Sequence, residues 1–233
     1  MTRLTSASLL SPTPSGLKLE LARLLDEKQR RKRENRLTDY RPYSKQREFH
    51  GAGSTARERL LMAGNQLGKT FCGAAEVAYH LTGLYPAWWT GRRWDRPTRW
   101  WAGSKTGEGT RDGVQRYLVG EPKDESAWGT GMIPKAQLLE WGRRQGIADA
   151  LDNCTVKHIS GGTSTLGFKS YDQGRQKWQG ETLDGVWFDE EPPMDIYMEG
   201  LTRTNATGGI AMITFTPLLG MSDVVSMFLG ETV

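Results

Sequence analysis

Ala63-Gly64-Asn65-Gln66-Leu67-Gly68-Lys69-Thr70 is the stretch whose reading decides the fold. It matches the phosphate-loop pattern G-x-x-x-x-G-K-[ST] except that an alanine stands at the first glycine. An apolar run, Arg59 to Ala63, precedes it and a helix-like segment from Lys69 to about Leu81 follows, the strand-loop-helix context such a loop requires. A triphosphate needs converging backbone N–H groups, here from Gly64, Asn65, Gln66, Leu67 and Gly68, at the N-terminus of a helix whose dipole favours anions. Lys69 is placed to reach the β- and γ-phosphates, and the Thr70 hydroxyl to meet Mg²⁺. Ala63 ends the strand, where a methyl group is accommodated as long as φ stays negative. The competing reading is a chance GKT in a chain with 28 glycines.

A second stretch bears on that choice. Leu183-Asp184-Gly185-Val186-Trp187-Phe188-Asp189-Glu190 is an apolar strand that delivers two adjacent carboxylates at its C-terminal end, where ligands bind in open α/β sheets. Asp189 is expected to hold Mg²⁺ through water, and Glu190 to polarise the attacking water as general base. The bland alternative is an acidic cap before Pro192-Pro193. Upstream, Gln46 sits among aromatics in Tyr43 to His50 and has the donor and acceptor that adenine N7 and N6 require, which would make ATP the preferred nucleotide. Downstream, Ile213-Thr214-Phe215-Thr216-Pro217 ends a strand in hydroxyls, and Thr214 or Thr216 is placed to sense the γ-phosphate and relay its loss. A surface glutamine and an ordinary Thr/Pro strand terminus are the alternatives for these two.

Around these motifs the chain alternates strands and helices. Residues 1–16 read as a loose lead-in, and Leu17, Leu21, Leu24 and Leu25 begin an amphipathic helix that runs into the basic stretch KQRRKRENR and ends before Arg41-Pro42. Residues 1–40 are therefore read as an extension and 41–233 as the core domain. A strand is expected at Arg99 to Gly103, a helix from about Gly107 to Val119, and one helix near Lys135 to Trp141. Cys154 to Ile159 and Thr165 to Lys169 alternate as a hairpin does. Leu183 to Phe188 and Gly209 to Phe215 read as buried strands, with a helix at Met194 to Arg203 and another after Ser222. The fold class is α/β, a mainly parallel central sheet flanked by helices.

Charge is unevenly spread. Residues 1–60 hold 14 Lys and Arg against 7 Asp and Glu, whereas the whole chain carries a formal +4. The run Lys28 to Arg36 suits nucleic-acid phosphates or an acidic partner, or is a solvated helix face. Cys72 and Cys154 have no metal-ligand or disulfide spacing, so a reducing, cytoplasmic setting is expected. No apolar run is long enough to span a bilayer, and no membrane association is expected. The loop YPAWWTGRRWDRP offers Arg92, Arg93 and Arg96, with Arg99 beyond it, as DNA contacts beside tryptophans that either stack on bases or pack internally. No role is expected for His50, His80 or His158.

In this order, with QGETLDGVWFDEEPP and MITFTPLLG, the elements resemble the ATPase half of the large terminase subunit of tailed bacteriophages, over about residues 40–220. The resemblance implies an additional-strand (RecA-like) P-loop NTPase fold and Mg²⁺-dependent ATP hydrolysis driving double-stranded DNA into a procapsid. It further implies a homo-oligomeric ring, portal protein and small terminase subunit as partners, and action in the host cytoplasm during virus assembly. By the family pattern Gln46 contacts adenine, Lys69 and Thr70 belong to Walker A, Asp189 and Glu190 to Walker B, and Thr214 to Pro217 to the coupling motif. A nuclease domain follows the ATPase in that family; none is expected in this chain. Two departures concern arginine: Asn65 stands where many terminases have one inside Walker A, and Gln179 stands where many have one before Gly180. The transition-state arginine is thus unassigned, with Arg175, Arg111 and Arg203 as candidates. Two other readings stay open, a DE-box helicase-like DNA-dependent ATPase and a nucleotide-binding scaffold without turnover.

Overall fold

Apolar runs broken by glycine, proline and polar clusters build a seven-stranded sheet in the order β1-β7-β6-β2-β5-β4-β3. The computed structural model describes residues 14–217 and 222–230; the expected lead-in over 1–16 lies outside the described residues as far as residue 13. The strands are β1 (Glu58–Met62), β2 (Arg99–Ser104), β3 (Leu138–Arg143), β4 (Leu151–Lys157), β5 (Thr163–Ser170), β6 (Gly185–Asp189) and β7 (Ile210–Phe215). β1, β7, β6, β2 and β5 run parallel, and β4 and β3 add antiparallel. The helices are α1 (Pro14–Glu34), α2 (Ser44–Ala52), α3 (Lys69–Thr82), α4 (Gly107–Gly109), α5 (Arg116–Leu118), α6 (Met194–Arg203) and α7 (Asp223–Leu229).

Period-two alternation separates the two faces of the sheet. Trp100, Ala102, Trp187 and Met212 face the core that includes α3; Trp101, Val186, Phe188 and Ile213 face the core that includes Ile196 and Tyr197 of α6. α3 lies so close to the sheet that a Cβ on Gly73 would fall 2.4 Å from the Trp187 ring, which is why that position is glycine. Cys72 and Cys154 are free, buried thiols.

Three expectations are corrected here. The segment Lys135 to Trp141, read as a helix, ends in strand β3, because its backbone completes an antiparallel ladder with β4. The expected Gly107–Val119 helix is interrupted: a π-helical segment, Thr110–Gln115, separates α4 from α5. His50 and His80, given no role, flank the fully buried Glu76, with His50 Nδ1 2.7 Å and His80 Nε2 3.4 Å from its carboxylate. Arg59 donates both terminal nitrogens to the same carboxylate. Burial alone would raise the Glu76 carboxyl, but the Arg59 guanidinium and the histidine hydrogen bonds outweigh it and hold it well below the usual carboxylate range.

The chain divides into two units after Arg33. Leu37 and Tyr40, placed in the extension by the sequence reading, are buried core residues of the second unit. The described residues of the first unit belong to the helix α1, whose Leu17, Leu19, Leu21, Leu24 and Leu25 are all at least half exposed and whose last turn carries Arg31, Lys32 and Arg33.

Candidate active site

Parallel strands bring their C-terminal ends to one edge of the sheet, and the loop after β1 opens there. Ala63 N still donates to Phe215 O at 3.4 Å, so the alanine continues the pairing with β7. The left-handed positions of the loop are Gln66 (φ 60°) and Gly68 (φ 74°); neither Ala63 nor Gly64 has a positive φ. The glycine missing from the pattern therefore falls where no glycine conformation is needed. Gly68 is the N-cap of α3, and Lys69, buried at the first helical position, donates Nζ to Gly64 O at 2.7 Å.

β6, β7 and the first turn of α3 bring three side chains onto one point. Thr70 Oγ1 donates to both Asp189 carboxylate oxygens at 3.0 and 3.2 Å, and Thr214 Oγ1 donates to Asp189 Oδ1 at 2.8 Å. Trp187 Nε1 in turn donates to Thr214 Oγ1 at 2.8 Å, fixing that hydroxyl from below. Asp189 is 6% exposed, and burial pushes its carboxyl up to about 7 against the opposing hydrogen bonds from Thr214 and Thr70. The π-helical segment passes alongside, with the Cβ position of Gly113 3.6 Å from Asp189 Oδ2. Glu190, next in sequence, has φ 75°, and its N–H donates to Thr214 O at 2.8 Å.

On the other side of the loop lies a cavity of about 730 Å³ lined by Tyr43, Gln46, Leu61, Ala63, Leu67 and Lys69 among others. Gln46 Oε1 accepts from Tyr43 N at 3.0 Å and its Nε2 donates to Gly68 O at 3.1 Å, so the amide is oriented against the phosphate loop itself. Hard oxygen donors beside a buried lysine and a glycine-capped helix N-terminus suit a phosphate with a divalent cation.

The family model for the terminase large subunit, T4likevirus-type, N-terminal, matches residues 60–232. The chain belongs to the terminase large subunit family. It is 46% identical over 228 residues to the terminase large subunit of Salmonella phage P22, covering 91% of this chain and 46% of that protein. Against the terminase large subunit of Enterobacteria phage LP7 it is 29% identical over 237 residues, covering 91% and 47%. The chain thus spans about half the length of the curated relatives it matches. Among solved structures, the large terminase of a thermophilic bacteriophage in complex with ADP aligns with a TM-score of 0.47 at 16% identity, over 75% of this chain and 38% of that one. The fold is α/β, a mainly parallel sheet flanked by helices, with the phosphate-loop motif opening after its first strand.

Within this terminase fold, Lys69, Thr70, Asp189, Glu190 and Thr214 lie at one edge, and Thr216 Oγ1 joins Asn65 Oδ1 at 3.0 Å. The arginine candidates do not join them. Arg175 donates Nε to Glu199 at 2.9 Å, and Arg203 pairs with the same carboxylate at 3.0 Å, so α6 holds both. Arg111 pairs with Asp112 and Ala148 O, though its π-helical segment is the one beside Asp189.

The four expected DNA contacts lie at the opposite end of the strands. Arg96 forms an ion pair with Asp184 at 2.7 Å, just ahead of β6, and Arg92 donates to Gly208 O, just ahead of β7. Arg93 donates to Trp89 O at 3.2 Å, while the Arg99 backbone N donates to Asp184. Trp89, Trp94, Trp100 and Trp101 are buried, which removes them as stacking surfaces for bases. The sequence reading missed Tyr171, whose hydroxyl donates to Glu190 O at 2.7 Å. It belongs to no motif, and no pattern of neighbours marked it.

Proposed function

We propose that this chain is the ATP-hydrolysing part of a terminase motor that drives double-stranded DNA into a procapsid. The observation that carries the reading is the convergence of Thr70 and Thr214 on the Asp189 carboxylate, 3.0 and 2.8 Å away. A buried carboxyl raised by desolvation and ringed by hydroxyls is the environment a hard cation relieves, and Mg²⁺ fits this donor set through Thr70 and Asp189. When bound with the nucleotide, the cation neutralises charge on the β- and γ-phosphate oxygens. The rest falls to the chain itself. Backbone N–H groups of residues 64–68 cradle the phosphates, Lys69 turns from Gly64 O to the β/γ-oxygens, and Gln46 reads the adenine. Glu190 aligns and deprotonates the attacking water, and Thr214 and Thr216 couple the change at the γ-phosphate to β7.

Arg175, Arg203 and Arg111 are all held in intramolecular pairs, which favours a transition-state guanidinium supplied by a neighbouring subunit of a ring. Portal protein and small terminase subunit are the partners this family assignment supports, in the host cytoplasm during assembly. Phosphate release measured with and without double-stranded DNA tests the reading. Turnover should rise with protein concentration, be stimulated by DNA, and fall to a small but measurable residual rate in Glu190→Gln. Unchanged turnover in Glu190→Gln removes Glu190 as the base. Tight ATP binding without turnover, at concentrations where the protein self-associates, replaces the motor with a nucleotide-holding module.

A further inference from the structure

We infer that Tyr171 is a positioning residue for hydrolysis: its hydroxyl locks the Glu190 main chain in the left-handed conformation that aims the general base. The inference rests on the reading of Glu190 as that base. Tyr171 begins a 3₁₀ turn, Tyr171–Gln173, directly after β5, two strands away from β6 in the sheet. Its ring packs in the core beside Trp178 and Phe188, with centroids 5.9 and 6.2 Å apart, so the side chain has one place to go. The hydroxyl faces three carbonyl oxygens: Glu190 O at 2.7 Å, Asp189 O at 3.3 Å and Gly103 O at 3.4 Å. A phenol carries one hydrogen, and the shortest contact takes it. Burial, with the neighbouring carboxylates, holds the phenol far above its ordinary range, so it remains a donor.

The opposite side of Glu190 is held as well, by its N–H to Thr214 O at 2.8 Å. Both peptide groups flanking the Glu190 Cα are therefore pinned, one by β7 and one by the tyrosine that follows β5. Between them the Cα sits at φ 75°, a conformation a glutamate does not keep unless its surroundings impose it. Pinning both peptides sets φ and ψ and with them the direction of the Cα–Cβ bond. Released at the carbonyl, the residue relaxes toward negative φ and the carboxylate swings away from the water it must align. Asp189 is fixed independently, since Thr70 and Thr214 hold its carboxylate directly. Loss of the tyrosine hydroxyl should therefore act on the chemical step and spare nucleotide binding.

Steady-state ATP hydrolysis by the assembled, DNA-stimulated protein tests this with Tyr171→Phe, which keeps the ring and removes one oxygen. The expected result is a fall in kcat of roughly ten- to a hundredfold, the scale on which misplacing a catalytic group acts, with KM for ATP unchanged. Because the tyrosine acts through Glu190, adding Tyr171→Phe to Glu190→Gln should lower activity no further than Glu190→Gln alone. Should the phenylalanine variant fail to fold, Tyr171→Met, which also lacks the hydroxyl, takes its place. A kcat equal to that of the parent protein overturns the inference. So does a parallel rise in KM, or a further loss in the double variant, since both mark a general structural role. If Glu190→Gln itself remains active, it is the assignment of the base that fails, and the two failures are told apart.

Discussion

Thr216 and Asn65, separated by most of the domain in sequence, are joined by a 3.0 Å hydrogen bond from hydroxyl to amide oxygen. The end of β7 is thereby fastened to the phosphate loop at Asn65. Thr216→Val and Asn65→Ala should each weaken this link by about 1 kcal/mol, the net worth of one such bond. ATP affinity measured across the double-variant cycle should show that the two effects do not add. The DNA-stimulated part of the hydrolysis rate should fall more than the basal part. Strictly additive affinities would mean that the contact carries no signal.

Gln46 is buried, and its amide is oriented by Tyr43 N and Gly68 O. Gln46→Ala should lower the preference for ATP over GTP by roughly tenfold, one hydrogen bond's worth of discrimination. Competition binding with the two triphosphates measures the ratio. An unaltered ratio removes the glutamine from base recognition.

Glu190 keeps φ 75° at a cost that glycine would not bear. Glu190→Gly should therefore abolish hydrolysis while raising the melting temperature by about 2–4 °C, the shift that ~1 kcal/mol produces in a chain of this size. A lower melting temperature would show that the glutamate side chain stabilises its own turn.

The cluster around Glu76 sets an acid limit on stability. Burial holds the His80 imidazole below its ordinary value of 6.5, opposed in part by its hydrogen bond to Glu76. As pH falls through 6.5 the unfolded chain takes up a proton there that the folded chain does not, and stability drops. Glu76 is held well below 4.5, so its contribution is complete above that value and is lost as the pH falls toward its lowered folded value. Both terms have the same sign. Melting temperatures recorded from pH 7.5 down to 4 should fall, with a shallower slope below pH 6.5 in His80→Phe. Glu76→Gln at neutral pH should cost about 3–5 kcal/mol by leaving Arg59 buried without its counter-charge.

Gly73→Ala places a methyl group against the Trp187 ring, whose Nε1 holds Thr214, which in turn holds Asp189. Overpacking of this kind costs about 1–3 kcal/mol. Chemical denaturation should register that loss, and the hydrolysis rate should fall with it, because the displaced indole no longer fixes the threonine. Intact activity in a destabilised variant would show that the tryptophan only fills space.

What could be read from the residues follows where chemistry repeats locally. The run Arg59 to Ala63 ahead of the loop, all but its last residue within β1, the strand ending at Asp189 and the helix Met194–Arg203 lie where their patterns put them, because apolar periodicity and flanking glycine or proline speak for each. α2 escaped that reading although Gln46, Phe49 and His50 lie on one buried face at helical spacing. Two of the three are polar, and hydrophobic periodicity does not register polar groups buried for their hydrogen bonds. β3 escaped it because its pairing with β4, not its own mostly exposed sequence, makes it a strand. Tyr171 and the π-helical segment beside Asp189 were illegible for a further reason. Their placement depends on where β5 and β2 end in space, which no local window contains.

Among the described residues β1 lies at the edge of the sheet and pairs with β7 alone. Leu60 meets Ile213, and Met62 meets Phe215, across about 150 residues of chain. A strand whose first partner is that remote gains nothing from pairing until the intervening polypeptide has been made and has closed on itself, and closures of such length are slow. During synthesis the phosphate loop therefore leaves the ribosome early yet takes shape late, after β6 and β7 have formed the surface that receives it. A chain interrupted between Thr70 and Phe215 has every loop residue and no site, so competence to bind nucleotide reports that the sheet has been completed.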